Sequence, residues 1–158
     1  MRAPHHYATL VDHERPLSPR GRRDAKRIVD HLLRLGIEPE LVLCSTSRRT
    51  RETLELVGPA LDAATVSLES ELYAASADTL LERLHAVPEE VGSVMIIGHN
   101  PGLEDLALLL ASDGPELERL KTKFPTAALA TLTLRTTWQQ LSQADAALAA
   151  YVVPKQLG

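Results

Sequence analysis

The sequence predicts a single-domain α/β protein whose mainly parallel sheet is covered by helices on both faces. The chain has 158 residues, a length that suits one domain. Short apolar runs of strand length alternate with segments of helical periodicity, which is typical of parallel strands joined by helices. Apolar residues make up 44% and charged residues 24%, as in ordinary globular proteins. We therefore expect residues 1–158 to form one domain.

The first predicted helix covers residues 18–35. Ser18 can accept a backbone hydrogen bond as the N-cap, and Pro19 suits the first helical position. Gly36 suits the C-cap, where a left-handed backbone conformation is common. The expected buried stripe follows the i, i+3, i+4, i+7 pattern and consists of Ala25, Ile28, Val29, Leu32 and Leu33.

The remaining elements are predicted from short apolar runs and from Gly and Pro punctuation. The predicted strands are Leu41–Cys44, Val66–Leu68, Val94–Ile97, Ala128–Leu134 and Ala147–Val153. The predicted helices are 47–57, Ala77–Leu84 and Leu103–Ala111. The run Val-Met-Ile-Ile at Val94–Ile97 is the clearest candidate for a fully buried strand. Ligands of such sheets bind at the carboxyl ends of strands, which directs attention to the loops after Cys44 and after Ile97.

The loop after Ile97 carries a histidine at the carboxyl end of a buried strand. His99 follows Gly98, and the Pro101-Gly102 turn then opens a helix whose first amides can bind an anion. A phosphate oxygen can accept a hydrogen bond from His99 in this position. The alternative is a histidine in a tight turn, bonded to a carbonyl group.

The loop after Cys44 carries three arginines, Arg48, Arg49 and Arg51, at the start of a helix. A solvated basic face is the ordinary explanation for such a run. Neighbouring helical residues point in different directions, however, so one arginine can face a site while another faces water. An inward arginine offers a fork of N–H donors to a bound phosphate.

Two further groups are weaker candidates. Glu71 follows a predicted strand and can act as a general acid if its pKa is raised, although a surface glutamate is the more common case. Arg15 precedes the first helix and can reach an anion, or it can pair with Asp12 or Glu14 at the surface.

Four segments together resemble motifs of the SixA-like branch of the histidine phosphatase superfamily. They are HERPLSPRGRRDA, CSTSRRTRETLE, VMIIGHNPGLEDLA and FPTAALATL. The resemblance covers roughly residues 12 to 155. It implies a three-layer αβα sandwich of the phosphoglycerate mutase-like fold. It also implies that Arg49 and His99 are the second active-site arginine and histidine, with Thr126 at the threonine that enters a late strand.

The sequence departs from that family at the Arg-His motif that ends the first central strand and supplies the nucleophilic histidine. Only MRAPHHYATLV precedes Asp12, so we expect the first central strand to be absent or truncated. Three explanations remain open. The start codon lies further upstream, the protein is a noncatalytic relative, or His5 or His6 substitutes for the nucleophile. We favour the first, because loss of a central strand leaves buried backbone groups unpaired.

The resemblance implies a metal-independent, cofactor-free phosphatase that forms a phosphohistidine intermediate and acts on phosphohistidine or a related phosphate monoester. The chain as given is expected to be impaired. The alternatives are a noncatalytic phosphate- or phosphoprotein-binding module and a phosphatase of small phosphate esters. A phosphorylated protein or a small phosphate ester is thus the expected partner.

Composition argues against other classes. The formal charge of −4 gives no indication of nucleic acid or of an anionic membrane surface. No apolar stretch approaches the length of a membrane span, about 18 residues. One cysteine, Cys44, suits the reducing cytoplasm, and no Cys/His/Asp cluster has metal-ligand spacing.

Overall fold

The computed structural model describes residues 12–122, 125 and 127–157 as an α/β fold of helices around a mainly parallel central sheet. The α-helices are α1 (Pro19–Leu35), α2 (Arg48–Val57), α3 (Ala77–His85), α4 (Gly102–Leu110) and α5 (Leu117–Thr122). The strands are β1 (Leu41–Ser45), β2 (Thr65–Glu69), β3 (Val94–Ile97), β4 (Ala111–Asp113), β5 (Leu129–Leu134) and β6 (Ala146–Val152). Single 3-10 turns cover Gly58–Ala60, Ser70–Leu72 and Pro154–Leu157.

The strands form two three-stranded sheets. In the first, β1 lies between β2 and β3 and is parallel to both, with Val42 opposite Val66 and Met95. In the second, β6 lies between β4 and β5, parallel to β4 and antiparallel to β5. The parallel first sheet confirms the predicted architecture and brings the carboxyl ends of β1 and β3 to one edge.

Helices cover both faces of the parallel sheet. Neighbouring residues of β1 point to opposite faces, and both faces carry apolar side chains. Val42 and Leu43 are both fully buried. Val42 packs with the apolar stripe of α1 and with Val57 of α2. Leu43 packs with side chains of α3 and α4, namely Leu80, Leu84, Leu106 and Leu110. The parallel sheet of β1, β2 and β3 therefore lies between two helical layers, as predicted.

Helix α1 begins and ends where its caps require. Ser18 Oγ accepts a hydrogen bond from the Gly21 amide at 3.0 Å. Gly36 adopts φ 67°, in the left-handed region that glycine occupies without strain. The buried members of the predicted stripe are Ala25, Ile28, Val29 and Leu32. Leu33 is 52% exposed, because it lies about 100° around the helix axis from Leu32.

The expectation that the first central strand is absent or truncated concerns residues 1–11, which lie outside the described residues. Within the described ranges, β3 pairs with β1 on one side and no strand pairs with its other side. A cavity of about 790 Å³ lies there, lined by Met95 and Ile96 of β3, Leu129–Leu134 of β5 and Leu106 of α4. The side chains of β3 are consequently only partly buried, and the prediction of full burial for Val94–Ile97 is wrong.

The helix that follows β3 packs directly on the chain after β2. A Cβ atom on Gly102, the first residue of α4, would lie 2.0 Å from the carbonyl oxygen of Ala75. The absence of a side chain at position 102 thus allows the two backbone segments to touch. Gly58 differs from Gly102 in that a Cβ atom there would meet no atom within 4 Å, and its φ of −47° suits any residue.

This contrast predicts opposite effects of two Gly→Ala substitutions. Gly102→Ala should lower the free energy of unfolding by about 1–3 kcal/mol, because backbone must move to admit the methyl group. Gly58→Ala should leave it unchanged or raise it by up to about 1 kcal/mol, because the unfolded chain loses conformational freedom. Urea denaturation of both variants measures the difference, and equal stabilities would contradict the close approach at Gly102.

Candidate active site

Three buried hydroxyl groups hold the turn between β1 and α2. Ser45 and Ser47 are fully buried and Thr50 is 4% exposed. Ser47 Oγ accepts from the Thr50 amide at 3.3 Å and so caps α2, while Thr50 Oγ1 donates to the Ser45 carbonyl at 2.7 Å. The Ser47 amide in turn donates to Ser45 Oγ at 3.3 Å. The direction in which α2 leaves the sheet is therefore fixed, and with it the position of Arg49.

Arg49 lies on the first turn of α2, and among the residues that the structure describes its guanidinium group hydrogen-bonds to Asp12. Arg49 Nη1 donates to the main-chain carbonyl of Asp12 at 2.8 Å and to Asp12 Oδ1 at 3.2 Å. Arg49 Nη2 donates to Asp12 Oδ2 at 3.4 Å. The Arg49 side chain is 29% exposed, so it is neither a core residue nor part of a fully solvated basic face.

The three arginines of the loop point to different neighbours, as predicted. Arg48 and Arg51 are exposed; Arg48 Nε donates to Glu52 Oε2 at 3.2 Å, and Arg51 Nε to the Thr46 carbonyl at 2.9 Å. Arg49 alone of the three faces the site.

His99 follows β3 and lies beside the end of β1. A hydrogen bond of 2.8 Å joins its Nε2 atom to Ser45 Oγ. Burial and then the positive charge of Arg49 lower the pKa of His99 below its ordinary value. The imidazole is therefore neutral at pH 7 and carries one N–H group.

The helix that begins after His99 is less suited to anion binding than the sequence suggested. The Leu103 amide donates to the His99 carbonyl at 3.0 Å, so it is not free for a ligand. Glu104 and Asp105 add negative charge to the first turn of α4. The side chains of Arg49 and His99, rather than the end of α4, are therefore the candidate donors to an anion.

Tyr73 connects the residues around Arg49 and His99. Its hydroxyl group donates to Asp12 Oδ2 at 2.5 Å. Its ring makes edge-to-face contacts with His99, at 5.1 Å between ring centroids, and with His13, at 4.9 Å. Asp12, His13, Arg49, Tyr73 and His99 thus form one cluster at the carboxyl edge of the parallel sheet.

Arg49 and His99 line part of a mainly apolar cavity of about 390 Å³, whose lining also includes Ile28 and Leu32 of α1 and Met95–Ile97 of β3. Thr50 and Thr53 of α2 line it on one side, and Gly98 and Asn100 on the other. A cation and a neutral imidazole thus border a space large enough for a tetrahedral oxyanion. The arrangement can bind a phosphoryl group through charge-assisted hydrogen bonds.

The other candidates have different surroundings. Glu71 lies in the 3-10 turn Ser70–Leu72, is exposed, and accepts from Ser70 Oγ at 3.5 Å rather than lining the cavity. His5, His6 and Thr126 lie outside the described residues. Among the residues that the structure describes, no group of three or more His, Cys, Asp or Glu side chains could hold a metal ion.

Sequence reasoning missed Tyr73 and Ser45, and it considered Asp12 only as one of two possible surface partners of Arg15. The pair exists, with Arg15 Nη1 at 3.5 Å from Asp12 Oδ1, but Arg49 makes the closer contacts. Tyr73 lies 61 residues from Asp12, so no local pattern links the two. One available signal was the Ser45-Thr46-Ser47 run at a strand end, where hydroxyl groups commonly cap the next helix.

Comparisons with known proteins identify a family of similar sequences. The model of the histidine phosphatase superfamily (branch 1) matches residues 10–90. An uncharacterized protein of Mycobacterium leprae is 38% identical over 150 residues, covering 92% of this chain and 91% of that protein. An uncharacterized protein of Mycobacterium tuberculosis is 36% identical over 151 residues, covering 92% and 93%.

Solved structures give the same family. A protein of Nakamurella multipartitia assigned as a SixA phosphohistidine phosphatase superposes with a TM-score of 0.80 at 30% identity, over 90% of this chain and 87% of that one. A protein histidine phosphatase SixA in complex with tungstate superposes with a TM-score of 0.75 at 27% identity, over 93% and 89%.

The lowered pKa of His99 predicts how the site responds to acid. Proton NMR should give a titration midpoint for His99 below 6.5, the ordinary value. The unfolded chain binds a proton at His99 that the folded chain does not, so stability rises with pH up to about 6.5 and falls as pH drops below it. His99→Gln should lack this component in urea denaturation at pH 5 to 7. A midpoint at or above 6.5 would contradict the environment described.

Proposed function

Because the chain belongs to the histidine phosphatase superfamily, we propose that its site binds the phosphoryl group of a SixA-type substrate. In this proposal, Arg49 and the Nδ1–H group of His99, whose Nε2 accepts from the Ser45 hydroxyl, hold the equatorial oxygens during transfer and stabilise the charge developing there. The observation that supports it most directly is that both side chains line one cavity at the carboxyl edge of the sheet. The substrate is a protein phosphorylated on histidine.

The openness of the site supports a protein substrate over a small ester. Residues 58–77, which follow α2, are occupied by two 3-10 turns, β2 and the start of α3. The part of this segment nearest the site supplies Tyr73, whose ring packs on His99. None of residues 58–77 lines the cavity, which favours a phosphoryl group that is carried on a protein surface.

The chemistry of such a phosphatase begins with an imidazole nitrogen that attacks phosphorus, forming an N–P bond as the bond to the leaving group breaks. Water then attacks the phosphohistidine and releases inorganic phosphate. Attack needs one nitrogen with a free lone pair, and the contacts of the described site histidines occupy three of their four nitrogens. His13 Nδ1 contacts Glu14 at 2.8 Å and His13 Nε2 contacts Thr46 Oγ1 at 3.2 Å, while His99 Nε2 is bonded to Ser45. We assign the nucleophile to neither.

Because no nucleophile is assigned among the described residues, a second candidate is a noncatalytic phosphate-binding protein. Both candidates share the binding step and differ in the covalent one. Incubation with a ³²P-labelled phosphohistidine protein distinguishes them, because an enzyme accumulates an acid-labile phosphohistidine and releases phosphate. We expect little release from this chain. A cytoplasmic location fits both, since the buried Cys44 is a free thiol.

Binding of tungstate, an inert analogue of phosphate, tests the site by isothermal titration calorimetry. Arg49→Ala and His99→Ala should each weaken binding by about 10- to 100-fold, the effect of losing a hydrogen bond to a charged group. Arg34→Ala is the matched control, because Arg34 is exposed in the last turn of α1, and it should bind as the wild type does. Equal affinities in all four proteins would rule out the proposed site.

A form of the protein that starts at an upstream codon and hydrolyses a phosphohistidine substrate gives a further test. In that form, Arg49→Ala and His99→Ala should each lower the rate by about 10²- to 10³-fold. That factor corresponds to the loss of one donor to the transition state. A colorimetric assay of released phosphate measures it. Unchanged rates in both variants would show that the transferring phosphoryl group lies elsewhere.

A further inference from the structure

The contacts between Asp12 and Arg49 divide the guanidinium group into two edges. A guanidinium has five N–H donors, and Asp12 engages three of them, two on Nη1 and one on Nη2. The remaining donors, on Nε and Nη2, lie along the other edge of the same plane. Two parallel donors on one edge match two oxygens of a phosphate.

Asp12 holds Arg49 by main chain as well as side chain. The shortest of the three contacts, at 2.8 Å, goes to the backbone carbonyl of Asp12, which cannot rotate away as a side chain can. The adjacent residue is also held, because His13 contacts Thr46 Oγ1 and the ring of Tyr73. The grip on Arg49 is therefore part of the fold rather than a loose surface ion pair.

Tyr73 fixes the carboxylate end of this grip. Its hydroxyl donates to Asp12 Oδ2, the oxygen that Arg49 Nη2 also contacts. That hydrogen bond is the main cause of the lowered pKa of Asp12, with Arg49 contributing further. The carboxylate is therefore charged at neutral pH and accepts from both groups at once.

We propose that Tyr73 and Asp12 are positioning residues, which turn the Nε/Nη2 edge of Arg49 toward the bound phosphoryl group. This rests on the proposed function, in that the edge matters only if Arg49 binds the anion. Tyr73 acts through Asp12, and neither residue contacts the phosphoryl oxygens. The competing possibility is that the Asp12 carboxylate occupies the place of the anion and must leave before binding.

Tyr73→Phe is the cleanest test, because it removes one hydroxyl group, changes no charge and keeps the ring against His13 and His99. Tungstate affinity should fall by about 3- to 10-fold, the usual effect of one neutral hydrogen bond. The matched control is Tyr151→Phe, on β6, with an unchanged affinity expected. Equal or tighter binding by Tyr73→Phe would overturn the proposal, and tighter binding would favour the competing possibility.

A double-mutant cycle with Asp12→Asn tests whether Tyr73 acts through Asp12. In the Asp12→Asn background, adding Tyr73→Phe should change tungstate affinity by less than about 2-fold, because the carboxylate that transmits the effect is gone. An effect as large as in the wild type would mean that Tyr73 contacts the anion itself, and would also overturn the proposal.

A measurement without any ligand separates this inference from the proposed function. The Arg49 Nε–H resonance, identified by its loss in Arg49→Lys, should be sharp in the wild type and in Tyr151→Phe. It should broaden or shift in Tyr73→Phe, whose thermal unfolding midpoint reports whether the fold is kept. If the wild type binds no tungstate, the proposed function fails and the resonance alone decides the positioning role. If the resonance is unaffected by Tyr73→Phe, the positioning role fails.

Discussion

The arrangement of the site depends on the two hydrogen bonds of the Ser45 hydroxyl group. Ser45 ends β1 and is fully buried, and its Oγ atom contacts both the Ser47 amide and His99 Nε2. One side chain thereby joins the loop that carries Arg49 to the loop that carries His99. Because a buried hydroxyl without partners is costly, the two loops are held in one relative position as long as the core around β1 is intact.

The charges of the site are balanced rather than uniformly positive. Arg49 faces Asp12 on one edge, and His99 is neutral because burial and Arg49 lower its pKa. In the proposed function, the placement of the donors therefore contributes more to anion binding than net charge does. This agrees with a chain whose formal charge is −4 and which still belongs to a family of phosphatases.

Much of the fold could be predicted because local signals mark its boundaries. Ser18, Ser47 and Ser76 each accept a backbone hydrogen bond at the start of a helix, and the apolar run of β3 was located to the residue. The short elements β4 and α5 were missed. Strand β4 has three residues and exists through pairing with β6, a contact 34 residues away that no local pattern encodes.

The candidate site was predictable only in part, for a similar reason. Arg49 and His99 follow strands and match motifs, so the carboxyl-edge rule and the family resemblance both point to them. Tyr73 and Asp12 reach the site from loops before α1 and after β2, and their meeting depends on tertiary packing. The cavity beside β3 also shows how far a sequence run can mislead, since Val94–Ile97 has a core composition but only partial burial.

The close approach of Gly102 to the Ala75 carbonyl makes the position of one loop depend on that of another. His99 lies three residues before Gly102, and Tyr73 lies two residues before Ala75. A side chain acquired at position 102 would displace the segment that carries Tyr73, and hence the neighbours of Asp12 and Arg49. We therefore expect substitutions in the two loops to be non-additive, because each loop contacts the other at this point.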